Sequence, residues 1–312
     1  MKQDISVVIL TLNEEKHIER CIKSLLAFTN NIFIIDSYSK DKTVEIAENL
    51  GAKVYQNKWL GNHAKQFQWG LDNCPIKTTW VMKMDADEYV LPELADEINS
   101  KLNNIQGDVS GIYVKRRVYF LDRWIKYGAY YPIWLLRIWK KEYGSMEQRW
   151  MDEHIKLSAG KTVQFENDIV DNNKSGLTEW TEKHNGYATK EAIDALNKIY
   201  NFVEEDIEDG KLLGSGIERK RWLRQKYDRL PLFLRPIIYF HYRYFFKLGF
   251  LDGKPGFIWH FLQGFWYRFL IDAKIYEIYH NAGKDKSKIL AFIKEKYGID
   301  INKLKENKNV QK

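Results

Sequence analysis

The run Ile5-Ser6-Val7-Val8-Ile9-Leu10 is nearly continuous in apolar, mostly β-branched residues. That is the pattern of a strand covered on both faces of a parallel sheet. From Glu14 the period changes: Ile18, Ile22, Leu25 and Leu26 fall at i, i+4, i+7 and i+8, which predicts an amphipathic helix. Asn31–Ile35 reads as a second buried strand ending at Asp36. Thr43–Leu50 reads as a helix stopped by Gly51, and Val54-Tyr55 as a short third strand. Ala64, Phe67 and Leu71 share one helical face, and Trp80–Met84 is a fourth strand stopping at Asp85. Strands alternating with helices imply right-handed crossovers and a mostly parallel α/β sheet with helices on both faces. Such sheets bind ligands beyond the carboxyl ends of their strands. Here those ends carry Thr11-Leu12-Asn13-Glu14, Asp36-Ser37-Tyr38-Ser39 and Asp85-Ala86-Asp87-Glu88.

The section Gly111–Val170 is less regular, with β-rich pieces at Ile112–Phe120 and Ile133–Trp139. Leu177–Glu205 reads as a long helix, and Gly210–Gly216 as a break. The expected organisation is a catalytic domain over 1–210, its halves 1–100 and 101–210 serving donor and acceptor, followed by a helical extension over 211–312. A chain of 312 residues with 45% hydrophobic and 29% charged residues is neither disordered nor too short to bury a core. Two cysteines, Cys21 and Cys74, exclude a disulfide framework and a cysteine-rich zinc site, and suit a reducing compartment.

Charge changes the picture more than composition does. Residues 1–210 hold 27 Lys/Arg and 33 Asp/Glu, whereas 211–312 hold 22 and 9, a net of +13 in the last third. Such a block is expected to meet an anionic partner. Between Ile237 and Phe269, 14 of 33 residues are aromatic, with Arg243, Lys247, Lys254 and Arg268 interleaved. Tyr and Trp with flanking Lys and Arg suit the headgroup zone of an anionic membrane surface better than nucleic acid. With no secretory h-region and no run of 18 apolar residues, the expected location is cytoplasmic, peripheral on the inner face of the membrane.

The sharpest chemical signal is Asp85-Ala86-Asp87 directly after a buried strand. Crowded carboxylates repel unless a cation lies between them. A hard divalent ion, Mn²⁺ or Mg²⁺, resolves this and shares its shell with substrate phosphate. No GxGxxG follows the first strand and no GxxxxGK[ST] occurs, which argues against a dinucleotide fold or a P-loop.

With these motifs, residues 1–100 resemble the catalytic domain of glycosyltransferase family 2, enzymes of the GT-A fold. Thr11–Glu15, the stretch Ile34-Ile35-Asp36-Ser37-Tyr38-Ser39-Lys40-Asp41-Lys42-Thr43, and Met84–Glu88 carry the resemblance, which extends to about residue 195 and is strongest toward bacterial lipopolysaccharide-core and capsule enzymes. It implies an inverting transfer from a nucleotide-sugar donor, UDP-linked, to a lipid-linked saccharide acceptor. Thr11, Asn13, Glu14, Asp36 and Ser39 would then line the nucleoside pocket. Lys65 would approach base or diphosphate, Asp85 and Ala86 the sugar nucleotide, and Asp87 the metal. The family's Ala-Arg-Asn-x-Gly is replaced by Gln66-Phe67-Gln68-Trp69-Gly70, so its arginine is missing. The resemblance puts the general base in Met151-Asp152-Glu153-His154: Glu153 first, Asp152 second, with His154 available to metal or diphosphate. Arg137, Arg149, Lys183 and His184 are candidates for gripping acceptor or diphosphate, each with an ordinary structural role as the alternative. A sugar-nucleotidyltransferase would share the sheet and the carboxylates but needs a Gly-rich, Lys-bearing phosphate loop. A glycosidase needs two carboxylates flanking one bond, and a noncatalytic membrane scaffold needs neither.

Overall fold

The computed structural model describes residues 2–59, 61–105, 107–146, 155–203 and 216–301, the last segment with side chains from 222. They fall into two compact units. One is residues up to 176 together with 251–256; the other is 177–250 and 257 onward.

The first unit opens as the hydrophobic pattern dictates. It runs β1 (Ile5–Thr11), α1 (Ile18–Leu25), β2 (Asn31–Asp36), α2 (Thr43–Asn49), β3 (Lys53–Gln56), α3 (His63–Asn73) and β4 (Trp80–Asp85). Then follow β5 (Glu88–Val90), α4 (Pro92–Lys101), β6 (Val109–Phe120), β7 (Arg123–Ile125), β8 (Ile133–Lys140), β9 (Gly144–Met146), β10 (Ile155–Leu157) and β11 (Lys161–Asp171). Among the described residues nine strands form one sheet in the order β3-β2-β1-β4-β8-β6-β11-β5, with β7 on β6, while β9 and β10 form a separate hairpin. β1 is parallel to both β2 and β4, so the order reverses beside it. That reversal is the topological switch point at which open α/β sheets bind ligands.

Alternation along β1 explains the two layers. Ile5, Val7 and Ile9 join Ile18, Cys21, Ile22 and Leu25 of α1 on one face, while Val8 joins Ala64, Phe67 and Leu71 of α3 on the other. Gly70 lets α3 lie close to the sheet, since a Cβ there would sit 2.7 Å from Ile35 Cγ1.

The sheet must curl. Four strand spacings separate β4 from β5 in the sheet order, roughly 19 Å if flat. Yet Asp85 and Glu88 are three residues apart, a reach of at most about 11 Å. The curl brings the far edge, with Glu88 paired opposite Asp171, back to the carboxyl end of β4.

The second unit is helical: α5 (Leu177–Tyr200), α6 (Gly216–Asp228), α7 (Leu234–His241), the last three residues of α8 (Gly253–Trp259), α9 (Tyr267–Ala282) and α10 (Lys286–Tyr297). π-helical turns occupy Tyr242–Phe246 and His260–Trp266. Asp272, fully buried, accepts from Phe233 N and Arg235 Nε, both at 2.8 Å, and fixes the start of α7.

Candidate active site

Three loops meet at the carboxyl ends of β2, β1 and β4. Register puts Asp36 beside Thr11 and Asp85 beside Leu10, so the two carboxylate-bearing ends flank β1. Alternation sends Asp36 to the α1 side of the sheet and Asp85 to the α3 side. Asp36 is wholly buried and organises its loop. Its Oδ1 accepts from Thr11 Oγ1 (2.8 Å) and Ser39 Oγ (2.5 Å), and its Oδ2 from Ser39 N (2.9 Å). Ser39 Oγ in turn accepts from Asn13 N at 2.8 Å, and Asn13 Oδ1 from Lys40 N at 2.8 Å. Glu14 N donates to Thr43 Oγ1 at 2.7 Å. Thr11, Asn13, Glu14, Asp36 and Ser39 are thus one hydrogen-bonded constellation. Asn13 and Tyr38 in these loops sit at φ 56° and 62°. Asn tolerates that conformation, but for an aromatic residue it is strained, a feature that concentrates at functional sites.

Lys65 lies in the first turn of α3, half-buried, its backbone N bonded to the capping Asn62 Oδ1 at 3.0 Å. The adjacent Gln66, seen in the sequence only as a departure from the family pattern, is buried. It bridges Ser37 Oγ (3.2 Å) and Asn57 O (3.0 Å), tying α3 to the Asp36 loop.

The Asp85-Ala86-Asp87 turn joins the middle of the sheet to its curled edge. Asp85 Oδ1 takes Lys83 Nζ at 2.9 Å and Oδ2 takes Arg137 Nη2 at 2.9 Å. Burial alone would raise the Asp85 carboxyl; the Lys83 and Arg137 charges outweigh it and hold it well below the usual range. Glu88, almost wholly buried, closes a ring around Asp85. Its Oε1 takes the same Arg137 Nη2 at 2.5 Å and its Oε2 takes Asp85 N at 3.0 Å. Arg137, a candidate grip for acceptor or phosphate, is itself buried and directed at these two carboxylates. Ala86 is buried at the centre of the turn.

Asp87 is half-buried and accepts from Asn173 Nδ2 at 3.0 Å. Arg20 Nη2 reaches Asp87 O at 3.1 Å and Asn172 O at 2.7 Å. Asp171 faces Arg116 Nη1 at 3.5 Å, and burial together with the Asp87 charge pushes it up to about 6. Lys174 N donates to His17 Nε2 at 2.8 Å, which leaves Nδ1 of the buried imidazole to donate to Glu14 Oε2 at 2.7 Å. The Glu14 loop, the Asp87 turn and the 171–175 segment are therefore laced together.

Asp152, Glu153, His154 and Arg149 lie outside the described residues. The strands around them do not: Met146 pairs with Ile155 across β9–β10, and Met146 N donates to Gln68 Oε1 of α3 at 3.2 Å. The two strands that flank residues 147–154 in sequence thus form a hairpin anchored on the α3 side, the side Asp85 faces. Lys183 and His184 belong to α5 in the second unit. His184 stacks on Trp180 at 3.5 Å, its Nδ1 bonded to Trp180 O at 2.8 Å, and burial pushes it down; Lys183 Nζ lies over the Tyr187 ring.

Sequence reasoning named Glu88 only within the acidic motif and Gln66 only as a departure from the family pattern, and it missed Asp171, Asn173, Arg20 and His17 as parts of this site. A signal existed for Asp171: Val163, Phe165 and Ile169 keep the two-residue period of the strand it ends. None existed for Asn173 or Arg20, whose roles depend on the curl.

The glycosyl transferase family 2 model matches residues 6–171. That is more than half of the sequence, and the chain belongs to this family. It is 28% identical to an uncharacterized glycosyltransferase of Rickettsia typhi over 97% of this chain and 96% of that one. It is also 28% identical to the lipopolysaccharide core biosynthesis glycosyltransferase LpsC of Rhizobium meliloti, over 88% of this chain and 93% of LpsC. A shorter match, 43% identical over 98 residues, takes in 31% of this chain and only 32% of an uncharacterized glycosyltransferase of Rickettsia bellii.

Proposed function

We propose that the protein is an inverting glycosyltransferase of lipopolysaccharide-core assembly. It moves a sugar from a nucleotide-diphosphate donor, UDP-linked, to a hydroxyl of a lipid-linked saccharide at the inner face of the cytoplasmic membrane. Family membership supports the reaction class, and the likeness to LpsC supports the pathway. One observation carries the site assignment. The curl gathers Asp85, Asp87 and Asp171 at the switch point, laced to the Thr11–Glu14 loop that also holds Asp36.

In this reading Thr11, Asn13, Glu14, Asp36 and Ser39 shape the nucleoside end, and Lys65 stands at the mouth of α3. Asp85 and Ala86 face the sugar and ribose. The donor set also fits a hard divalent cation. Asp87 offers a carboxylate to which, among the described residues, no Lys or Arg side chain is paired, with Asp171 adding negative charge beside it. Among the described residues no three acidic, His or Cys groups could hold a metal by themselves. The ion expected there, Mn²⁺ or Mg²⁺, would take much of its shell from substrate phosphate. Asp87, with His154, would hold it. When bound, such an ion neutralises charge on the diphosphate.

The base belongs to residues 147–154, between the two strands of the hairpin that packs on α3. The acceptor oxygen attacks the anomeric carbon. Its proton passes to Glu153, or in second place Asp152, while the bond to the diphosphate oxygen breaks and its electron pair leaves with the nucleotide. Glu153→Gln is expected to lower transfer by about 10²–10⁴-fold while leaving nucleotide affinity within about twofold. Transfer at the wild-type rate would exclude Glu153 as base.

A further inference from the structure

The second unit exposes apolar side chains that its own fold leaves uncovered. Phe246 is 78% exposed, Phe245 51%, Phe257 47% and Phe261 41%, with Ile237 and Ile238 open beside them. Isolated exposed phenylalanines need no explanation, but a contiguous set does. These rings are contiguous. Phe257, Phe261, Phe265 and Phe269 follow one another at i, i+4 spacing with centroids 5.5–6.3 Å apart. Phe240 touches Phe261 and Phe265, and Tyr244 stacks on Phe240 at 5.4 Å while touching both Phe245 and Phe257.

Charge identifies the occupant. From Arg229 to Ile271 the chain carries a single carboxylate, Asp252. It is buried, accepting from Lys126 N and Tyr127 N in the first unit. The ring surface itself carries Lys247, exposed and lying over Tyr242, and Arg243 bonded to Tyr239 OH. A face of aromatic rings with basic side chains and no exposed acid complements a bilayer whose headgroups are anionic. The dimensions of its helices suit lying on a bilayer better than crossing one. Leu234–Phe246 is 13 residues, about 20 Å of helix against roughly 30 Å of hydrocarbon. No helix among the described residues is long and apolar enough to span.

We propose that this face docks on the surface of an anionic phospholipid bilayer, with Phe245, Phe246 and Phe257 entering the interface and Lys247 meeting headgroup phosphate. The proposal deepens, and rests on, the reading of the acceptor as lipid-linked. The test is co-sedimentation of the full chain with vesicles of phosphatidylcholine alone or mixed with phosphatidylglycerol. Wild type is expected to bind the phosphatidylglycerol vesicles, and to bind less as salt rises. F245S/F246S is expected to bind at least about tenfold more weakly while melting at the wild-type temperature. Wild type failing to bind phosphatidylglycerol vesicles at low salt overturns the proposal. So does a double variant that binds as well as wild type, or one that merely turns a dimer into a monomer. Vesicle binding by a chain that turns over no nucleotide-sugar supports this face and counts against the transfer reading alone.

Discussion

Replacing Arg137 with leucine removes the one cation that two carboxylates share. The guanidinium is about 5% exposed, its Nη2 2.9 Å from Asp85 Oδ2 and 2.5 Å from Glu88 Oε1. Lys83 still neutralises Asp85 after the change, and the Asp85 side chain is partly open to water. Glu88 is left with only the Arg116 charge near it, and because burial already pushes its carboxyl up to about 7, the test belongs at pH 8, where it is ionised. Stranding one member of a buried pair costs about 3–5 kcal/mol, and that is the loss expected for R137L in urea unfolding followed by tryptophan fluorescence. Removing both partners is different, because an apolar pair of similar volume is often neutral. R137L/E88L is therefore expected to recover all but about 1–2 kcal/mol. A loss below about 1 kcal/mol in R137L, the range of exposed ion pairs, would mean that the ring around Asp85 is solvated and does not fix its carboxylate.

Two further outcomes follow from packing and burial. His260 is fully buried, and burial, helped by the Arg243 charge, pushes its imidazole down to about 4. Since the folded value lies below the unfolded one, its contribution is intact above about pH 6.5 and is lost as pH falls toward 4. About 3 kcal/mol of pH-dependent stability between pH 7 and 4 should disappear in His260→Asn, and an unchanged slope would contradict the burial argument. Gly144→Ala puts a Cβ 2.0 Å from Trp139 Cδ1, against a rigid indole in the core. It should cost about 1–3 kcal/mol and, by displacing the hairpin that carries residues 147–154, lower transfer more than donor binding. Equal loss of both in steady-state kinetics would show that the hairpin does not position the base.

How much of this was legible depended on whether the signal was local. β1, β2 and β4 are buried on both faces, so their sequences are apolar runs that nothing else explains. The helix faces of α1 and α3 follow from spacing alone. β5 is three residues long and exists because β11 pairs with it, so its sequence held too little to identify it. α4 begins at Pro92, a favourable first-turn position that the reading passed over. At the site, the acidic motif stood out because carboxylates rarely follow a buried strand without a task. Of the two cations that answer it, Lys83 stands two residues from Asp85, but Arg137 lies 52 positions away. Only the sheet order, which no single strand reveals, brings them together.

The central claim is that the Asp87 turn and the Thr11–Ser39 loops form one donor site. Its most direct measurement is a screen of nucleotide-sugar hydrolysis by the full chain, with and without Mn²⁺ or Mg²⁺, in wild type and Asp87→Ala. We expect hydrolysis of a UDP-sugar only with the cation, reduced at least about 10²-fold by D87A, in line with the loss of a group that stabilises developing charge. Hydrolysis that proceeds equally without cation and in D87A would contradict the account.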